Sequence, residues 1–182
     1  MTSPLQPENL SNHKVLLRPL RPDDREALYL VAADPLIWEQ HPNPDRYQRP
    51  VFDNYFNGAL ESKGALLILD AATRQIIGCT RYYDHATERK ELKIGYTFFA
   101  RSCWGKSYNA STKQLMLDHA FTFADTVLFH VGAQNFRSRR AMEKLGARPQ
   151  GEIDVAYYGE AVRTNMEYVI TRELWKQVQS KG

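Results

Sequence analysis

A loop with a glycine and a lysine, "RSCWGKSYNAS" at residues 101–111, lies between two stretches of different character. The residues before it, "IGYTFFA", are typical of a strand, and those after it, "TKQLMLDHAF", are typical of a helix. A helix begins with free backbone N–H groups and a partial positive charge, which bind phosphate if a small residue lets it approach. Gly105 would allow that approach and Lys106 would add charge. Many such turns need glycine only for its backbone freedom, so the loop alone does not decide its function.

A second motif follows about thirty residues later, "VGAQNFRSRRAMEKLGA". It predicts a strand that runs into a helix with both ends marked, because Asn135 suits the N-cap and Gly146 suits the C-terminal stop, with Pro149 beyond it. The strand itself, "TVLFHVG", is a short continuous apolar run of the kind that is buried on both faces.

The remaining segments predict the fold class. Strands are expected at "KVLLRPL", in a hairpin across "DAATRQ", at "ELKIGYTFFA" and around Gly159, with two helices after the first strand and a short one at "RELWKQVQ". Leu117, Ala120, Phe121 and Ala124 have the spacing of a helix that lies on a sheet. The order is that of an α/β (α+β) domain at residues 14–182, a mixed sheet with helices on both faces, after a flexible leader at residues 1–13.

Composition excludes several classes of protein. The chain has 182 residues and a formal net charge of +3 without a basic run, which argues against a nucleic-acid-binding protein. Cys79 and Cys103 have no second pair of ligands nearby, so neither a disulfide framework nor a metal site is indicated. The polar N-terminus and the lack of a long apolar run favour a cytoplasmic protein without a membrane span.

The two motifs together, with "LLRPL", "WEQHP", "IIGCTRYYD" and "TNMEYVI", resemble the GNAT superfamily of N-acetyltransferases over nearly the whole chain. The resemblance is closest to the branch that includes ribosomal-protein N-terminal acetyltransferases. It implies a mostly antiparallel sheet and acetyl-CoA as cosubstrate, with the loop around the pyrophosphate and the preceding strand beside the pantetheine arm. The residues implied for cofactor binding are Phe98, Phe99, Trp104, Gly105, Lys106, Ser107, Tyr108, Asn109 and Asn135.

Two positions depart from the family pattern, in which the loop commonly reads R/Q-x-x-G-x-G/A. Ser102 stands at the first of these positions and Ser107 at the last. Because a serine side chain crowds the place where the phosphate comes close, an alternative function stays open. The chain would then be a CoA-binding or protein-interaction module that keeps the fold with little or no turnover.

The resemblance also implies catalytic residues for direct attack by an amine in a ternary complex. Ser138 matches the position of a hydroxyl that protonates the departing thiolate, and the alternative is a serine that bonds to backbone in the first helical turn. Glu91 is the candidate general base, and the alternative is an exposed glutamate paired with Lys93 or Arg89. The cysteines are expected to be structural rather than nucleophilic.

The acceptor is expected to lie near Trp38 and His41, because the family places its acceptor-binding loop in this proline-broken segment. A protein N-terminus and a small-molecule amine both remain possible acceptors, and both a monomer and a homodimer are compatible with the sequence. An α-amino group with a pKa of about 7.7 is roughly one-third neutral near pH 7.4, so a weak base would suffice for it.

Overall fold

The computed structural model describes residues 3–181, which form eight strands and five helices; all but the first strand follow one another in the order that the sequence predicts. The strands are β1 Leu10–Ser11, β2 Val15–Pro19, β3 Ala65–Asp70, β4 Ile76–Ala86, β5 Glu91–Phe99, β6 Thr126–Gly132, β7 Arg148–Ala156 and β8 Val162–Thr171. The helices are α1 Arg25–Ala32, α2 Arg49–Glu61, α3 Tyr108–Ala120, α4 Phe136–Leu145 and α5 Arg172–Gln179.

All strands join one sheet in the order β1-β2-β3-β4-β5-β6-β8-β7. Every neighbouring pair is antiparallel except β5 and β6, which are parallel. The predicted mixed, mostly antiparallel sheet is therefore confirmed.

Helices cover both faces of this sheet, which explains why β3 is a continuous apolar run. Leu66 and Ile68 pack into a core with α3, α4 and α5, while Ala65 and Leu67 pack into a second core with α1 and α2. A strand buried on both faces needs apolar side chains at successive positions rather than at alternate ones.

Part of the segment expected to be a flexible leader belongs to the sheet. Leu10 and Ser11 pair with Leu17 and Leu16, and Leu5 and Leu10 pack against the core on the side of α3. Their apolar side chains are only partly buried and too few to give a strand pattern, which is why the sequence predicted no strand here; residues 1 and 2 lie outside the described part. Within residues 3–181, no helix is long and apolar enough to cross a membrane.

The parallel pair creates a gap in the sheet. β5 and β6 are paired only where Glu91, Leu92 and Lys93 face Thr126, Val127 and Leu128. Beyond this point both strands continue, to Phe99 and to Gly132, without pairing with each other. One edge of each strand therefore keeps backbone donors and acceptors available for a ligand that enters the gap.

Candidate functional site

A cavity of about 800 Å³ fills the gap between the separated halves of β5 and β6. Residues 94–99 of β5 line one side and residues 129–132 of β6 line the other. The loop before α3, the first turns of α4 and the segment between α1 and α2 complete the wall. The two sequence motifs, which are thirty residues apart, therefore face the same space.

One end of the cavity is formed by backbone N–H groups at the start of α3. No acceptor within residues 3–181 takes the amide hydrogens of residues 105–110, and the first N–H of this region with a partner is that of Ser111, which donates to Ser107 O. Gly105 has φ of +72° and Ser107 has φ of 65°, so the chain turns sharply and directs successive N–H groups into one concave region. Such a region binds an anion.

The space beside Gly105 is open. A Cβ placed on Gly105 would meet no atom within 4 Å, so a side chain there would project into the region that the N–H groups face. Lys106, Arg140 and Lys144 are exposed around this end, and none of them forms an ion pair with another described residue. The combination of free N–H groups, open space and unpaired cations suits a phosphorylated ligand.

The free edge of β5 is interrupted by a bulge at Tyr96. Phe98 faces Cys79 on β4 but Gly95 faces Arg81, so β5 carries one extra residue, and Tyr96 adopts φ of 53°. The Tyr55 hydroxyl donates to the Tyr96 carbonyl oxygen at 2.8 Å, which fixes this distorted backbone from the side of α2. A bulge of this kind redirects the strand's polar groups next to a site.

Ser138 and Asn135 lie across the gap at the start of α4. The Asn135 side chain caps the helix by accepting from Ser138 N at 3.2 Å, as the sequence predicts. The Ser138 hydroxyl has no hydrogen-bond partner within the described chain, and both residues line the cavity. Helix capping thus uses the Ser138 backbone and leaves its hydroxyl available.

The opposite end of the cavity is aromatic and contains a buried ion pair. Arg46 donates from Nε and Nη2 to both carboxylate oxygens of Glu160, at 2.7 and 2.8 Å, and the two side chains are 1% and 7% exposed. The guanidinium carbon of Arg46 lies 5.7 Å from the Trp38 ring centroid and 5.6 Å from each of the Tyr96 and Tyr157 ring centroids. These contacts join three distant segments of the chain into one wall.

His41 lies beside this ion pair. Its Nδ1 accepts from Asn43 N at 3.2 Å, and its Nε2 is 3.3 Å from Arg46 Nη1. Burial, followed by the positive charges of Arg46 and Arg137, lowers the pKa of His41 well below its ordinary value. His41 is therefore a neutral imidazole at physiological pH.

Lys113 places a buried amine in the middle of the cavity wall. Its side chain extends from α3 toward β5, where Nζ donates to Thr97 Oγ1 at 2.6 Å. No carboxylate within residues 3–181 pairs with it, and burial lowers the pKa of Lys113 to about 7. Close to neutral pH, this amine is about half protonated.

The structure brings most of the residues predicted for the site to this cavity. Those that line it are Trp38, His41, Phe98, Phe99, Trp104, Gly105, Ser107, Tyr108, Asn109, Asn135 and Ser138. Lys106 lies in the same loop, but its side chain is exposed outside the lining.

Glu91 is the exception among the predicted residues. It pairs with Thr126 in the closed part of the strand pair, where its carboxylate is 3.4 Å from Arg89, and it is absent from the cavity lining. The prediction placed it correctly at the far end of β5 from the loop. The side chain lies outside the lining because β5 separates from β6 only after Lys93, so the cavity begins at Ile94.

Sequence reasoning missed Lys113, Arg46 and Tyr96. Lys113 was within reach, because counting back four residues from the buried Leu117 places it on the buried face of α3. Arg46 lies in a segment without periodicity, and its partner is 114 residues away. The bulge at Tyr96 follows from strand register, for which the sequence gives no signal.

Comparison with known proteins agrees with this geometry. A family model of the acetyltransferase (GNAT) domain matches residues 14–148. A protein from T. thermophilus that has been assigned as an acetyltransferase is 26% identical, with a TM-score of 0.79 over 96% of this chain and 95% of that one. No curated protein sequence matches the chain.

Two more distant structures share the fold. A GCN5-related N-acetyltransferase from Brucella melitensis is 16% identical, with a TM-score of 0.76 over 96% of this chain and 87% of that one. Mycobacterium smegmatis RimJ, in complex with CoA-disulfide, is 19% identical, with a TM-score of 0.71 over 92% of this chain and 89% of that one.

Proposed function

The chain belongs to the acetyltransferase (GNAT) family and is an N-acetyltransferase, and on that premise we propose how its cavity performs the transfer. An acetyl group moves from acetyl-CoA to a primary amine, a protein N-terminus or a small-molecule amine, by direct attack in a ternary complex. The observation that carries the proposal is a single cavity with free N–H groups and cations at one end and an unbonded hydroxyl, that of Ser138, in the gap between the strands.

Acetyl-CoA would bind along the loop and β5. The N–H groups of residues 105–110 suit its pyrophosphate, and the free edge of residues 94–99 suits the amides of its pantetheine arm. Asn135 would contribute its side-chain amide, because helix capping occupies only its oxygen. The side chains of Phe98, Phe99, Trp104, Tyr108 and Asn109 would complete the wall.

Ser138 would act as the general acid. When the amine nitrogen bonds to the acetyl carbon, the carbon–sulfur bond breaks and the departing thiolate takes a proton from the Ser138 hydroxyl, which regains one through solvent as the new amide nitrogen releases its proton. Because no described residue occupies that hydroxyl, it is free to turn toward the sulfur.

Ser138→Ala should lower the maximal rate about 100-fold while acetyl-CoA affinity stays within a few fold, since only the proton donor is removed. Stopped-flow thiol release and calorimetry measure the two quantities. Ser111→Ala, which removes a helical hydroxyl outside the cavity, is the matched control. An unchanged rate of chemistry would leave Ser138 as part of the helix turn only.

Removal of the amine's proton is assigned to solvent rather than to Glu91. Glu91 lies outside the cavity and is held by Arg89. An α-amine with a pKa of about 7.7 is already partly neutral near pH 7.4, so no strong base is needed before the attack. Trp38 and His41 would line the acceptor's path, with His41 kept neutral by its surroundings.

The experiment that tests the proposal follows thiol release from acetyl-CoA with a panel of amines. Acetylated product from any amine supports it. The second candidate is a CoA-binding module with little turnover, and the specific observation that favours it is Ser107, a non-glycine residue at φ of 65° in the phosphate-binding loop. Thermal stabilisation by CoA with no thiol release from any amine would favour that candidate.

The compartment proposed for the reaction is the reducing cytoplasm. Cys79 and Cys103 are both free and buried, and thiols that lack a partner are typical of proteins that stay reduced.

A further inference from the structure

The cavity is lined by side chains of one charge. Among the lining residues in the described chain there is no aspartate or glutamate, whereas the lining includes Arg46, Lys113, Arg137, Arg140 and Lys144. Water-excluded walls of low dielectric strengthen the effect of such charges on a bound ligand. The charge of an acceptor molecule therefore matters strongly for its binding.

The cations near the N–H groups of residues 105–110, which we call the phosphate end, are too far along the cavity to choose between acceptor molecules. Arg140 and Lys144 are on the exposed side of α4, and Lys113 is between the two ends on α3. The anionic phosphates of a bound CoA would neutralise the first two. The two remaining arginines of the lining, Arg46 and Arg137, are close enough to His41 to lower its pKa by their charge.

Arg46 has little capacity left for a second ligand, because its Nη1 also lies 3.3 Å from His41 Nε2. Glu160 occupies two of its donor nitrogens, and its guanidinium already covers the rings of Trp38, Tyr96 and Tyr157. These rings are consequently unavailable to an ammonium group of an acceptor, and Glu160 is engaged as well.

Arg137, in contrast to Arg46, keeps hydrogen-bond donors that no carboxylate of the described chain occupies. Its guanidinium stacks 3.8 Å from the Trp104 ring centroid, and Nη2 donates to Ile37 O at 3.2 Å, which holds it in the cavity wall between the loop before α3 and the segment after α1. No carboxylate in residues 3–181 lies within ion-pair distance of it; the exposed Glu39 acts on it only from further away. It therefore presents unused donors at a fixed position in the wall of the cavity that Ser138 also lines.

We propose that the acceptor is a primary amine that carries a carboxylate close to the amine, and that Arg137 receives this carboxylate. This inference rests on the proposed acetyl transfer and names its substrate class. Planar guanidinium donors match a carboxylate in geometry as well as in charge. Polyamines and lysine-rich peptides would instead add positive charge beside Arg137, with no acidic lining residue to compensate.

Matched acceptors test this proposal. Three hexapeptide amides would share an N-terminal serine and differ only in whether positions two and three are acidic, neutral or basic. Thiol release should give a kcat/KM at least tenfold higher for the acidic peptide than for the basic one, and the ratio should shrink at high salt. Free aspartate and spermidine complete the panel, and turnover of aspartate would identify a small amino acid rather than a peptide as the source of the carboxylate.

Arg137→Gln should bring the ratio of acidic to basic peptide close to one, because it keeps a polar side chain but removes the charge. Arg148→Gln, at an exposed arginine outside the cavity, should leave the ratio unchanged. Equal use of all three peptides, or a preference for the basic one or for spermidine, would overturn the inference while leaving acetyl transfer established.

If none of the acceptors releases thiol, calorimetry with the same peptides and CoA-saturated protein decides the matter. Tighter binding of the acidic peptide, lost in Arg137→Gln, supports the inference, and equal binding overturns it. Failure of the proposed function is thereby separated from failure of the substrate class.

Discussion

The two ends of the cavity are built in different ways. The phosphate end consists of consecutive residues, 105–110, whose N–H groups are left free by two residues at positive φ. The acceptor end consists of side chains from three segments, joined by the bond between Arg46 and Glu160 across 114 residues. The first end depends on local backbone geometry, whereas the second depends on the fold being complete.

Substitutions at the two ends should therefore change different properties of the protein. Damage to the phosphate end should change ligand affinity in a protein that still folds, because few tertiary contacts are involved. Damage to the acceptor end should change stability first, because it leaves a buried charge without its partner.

The largest effect is expected from Glu160→Gln, which leaves the guanidinium of Arg46 buried without a carboxylate. The free energy of unfolding should fall by about 3 kcal/mol, since removing one partner of a buried ion pair strands the other. Urea unfolding measures the loss, and calorimetry on the folded fraction should show CoA affinity nearly unchanged.

Glu26→Gln provides the matched control, because Glu26 also pairs with an arginine, Arg49, but is 72% exposed. It should change the free energy of unfolding far less. Equal effects of the two substitutions would contradict the view that the acceptor end is held together by its buried pair.

Lys113, between the two ends, should show the next largest effect, with the opposite sign. Its pKa in the folded protein is about 7 against an ordinary value of 10.5, so the unfolded chain binds more protons between these values and stability rises with pH across that window. Lys113→Met should therefore stabilise the protein at pH 7 by on the order of 2–4 kcal/mol.

The gain should shrink as the pH approaches 10.5, because the amine then loses its proton in the unfolded chain as well, and folding no longer has to remove it. Urea unfolding at pH 7 and pH 9.5 gives the comparison. Lys144→Met, at an exposed lysine, should show no such trend. A gain from Lys113→Met that is independent of pH would mean that the amine is not the source of the cost.

The same difference between the ends explains what the sequence could predict. The order of the helices and strands could be predicted from the spacing of apolar residues. The cap at Asn135 and the stop at Gly146 could be predicted from the residue type at each end of α4. The loop at Gly105 is also local. The Arg46–Glu160 pair, the bulge at Tyr96 and the position of Glu91 relative to the cavity depend on which segments of the chain meet and in what register.

Gly105→Val should weaken CoA binding about 100-fold, by filling the open space that the free N–H groups face and by straining a backbone at φ of +72°. Calorimetry with CoA measures the loss. Gly151→Val separates the two causes, because Gly151 also has positive φ, +139°, and open surroundings but lies outside the cavity. Gly151→Val should keep full affinity for CoA. If a folded Gly105→Val protein also bound CoA as tightly as the parent, the loop would not be part of the phosphate site.

The smallest effect is expected at Ser107, the N-cap residue of α3, which adopts φ of 65° without using its side chain as a cap. Ser107→Gly should stabilise the folded protein by about 0.5–1 kcal/mol, because glycine occupies this region without steric cost. It should also raise CoA affinity a few fold, since the N–H groups at the start of α3 would be held in place with less strain and less crowding. Ser111→Gly, inside the same helix, should be destabilising by a similar amount, which makes the sign of the change diagnostic. If Ser107→Gly raised stability but lowered affinity, the serine hydroxyl itself would be a ligand of the phosphate, and the phosphate end would no longer be a site made of backbone alone.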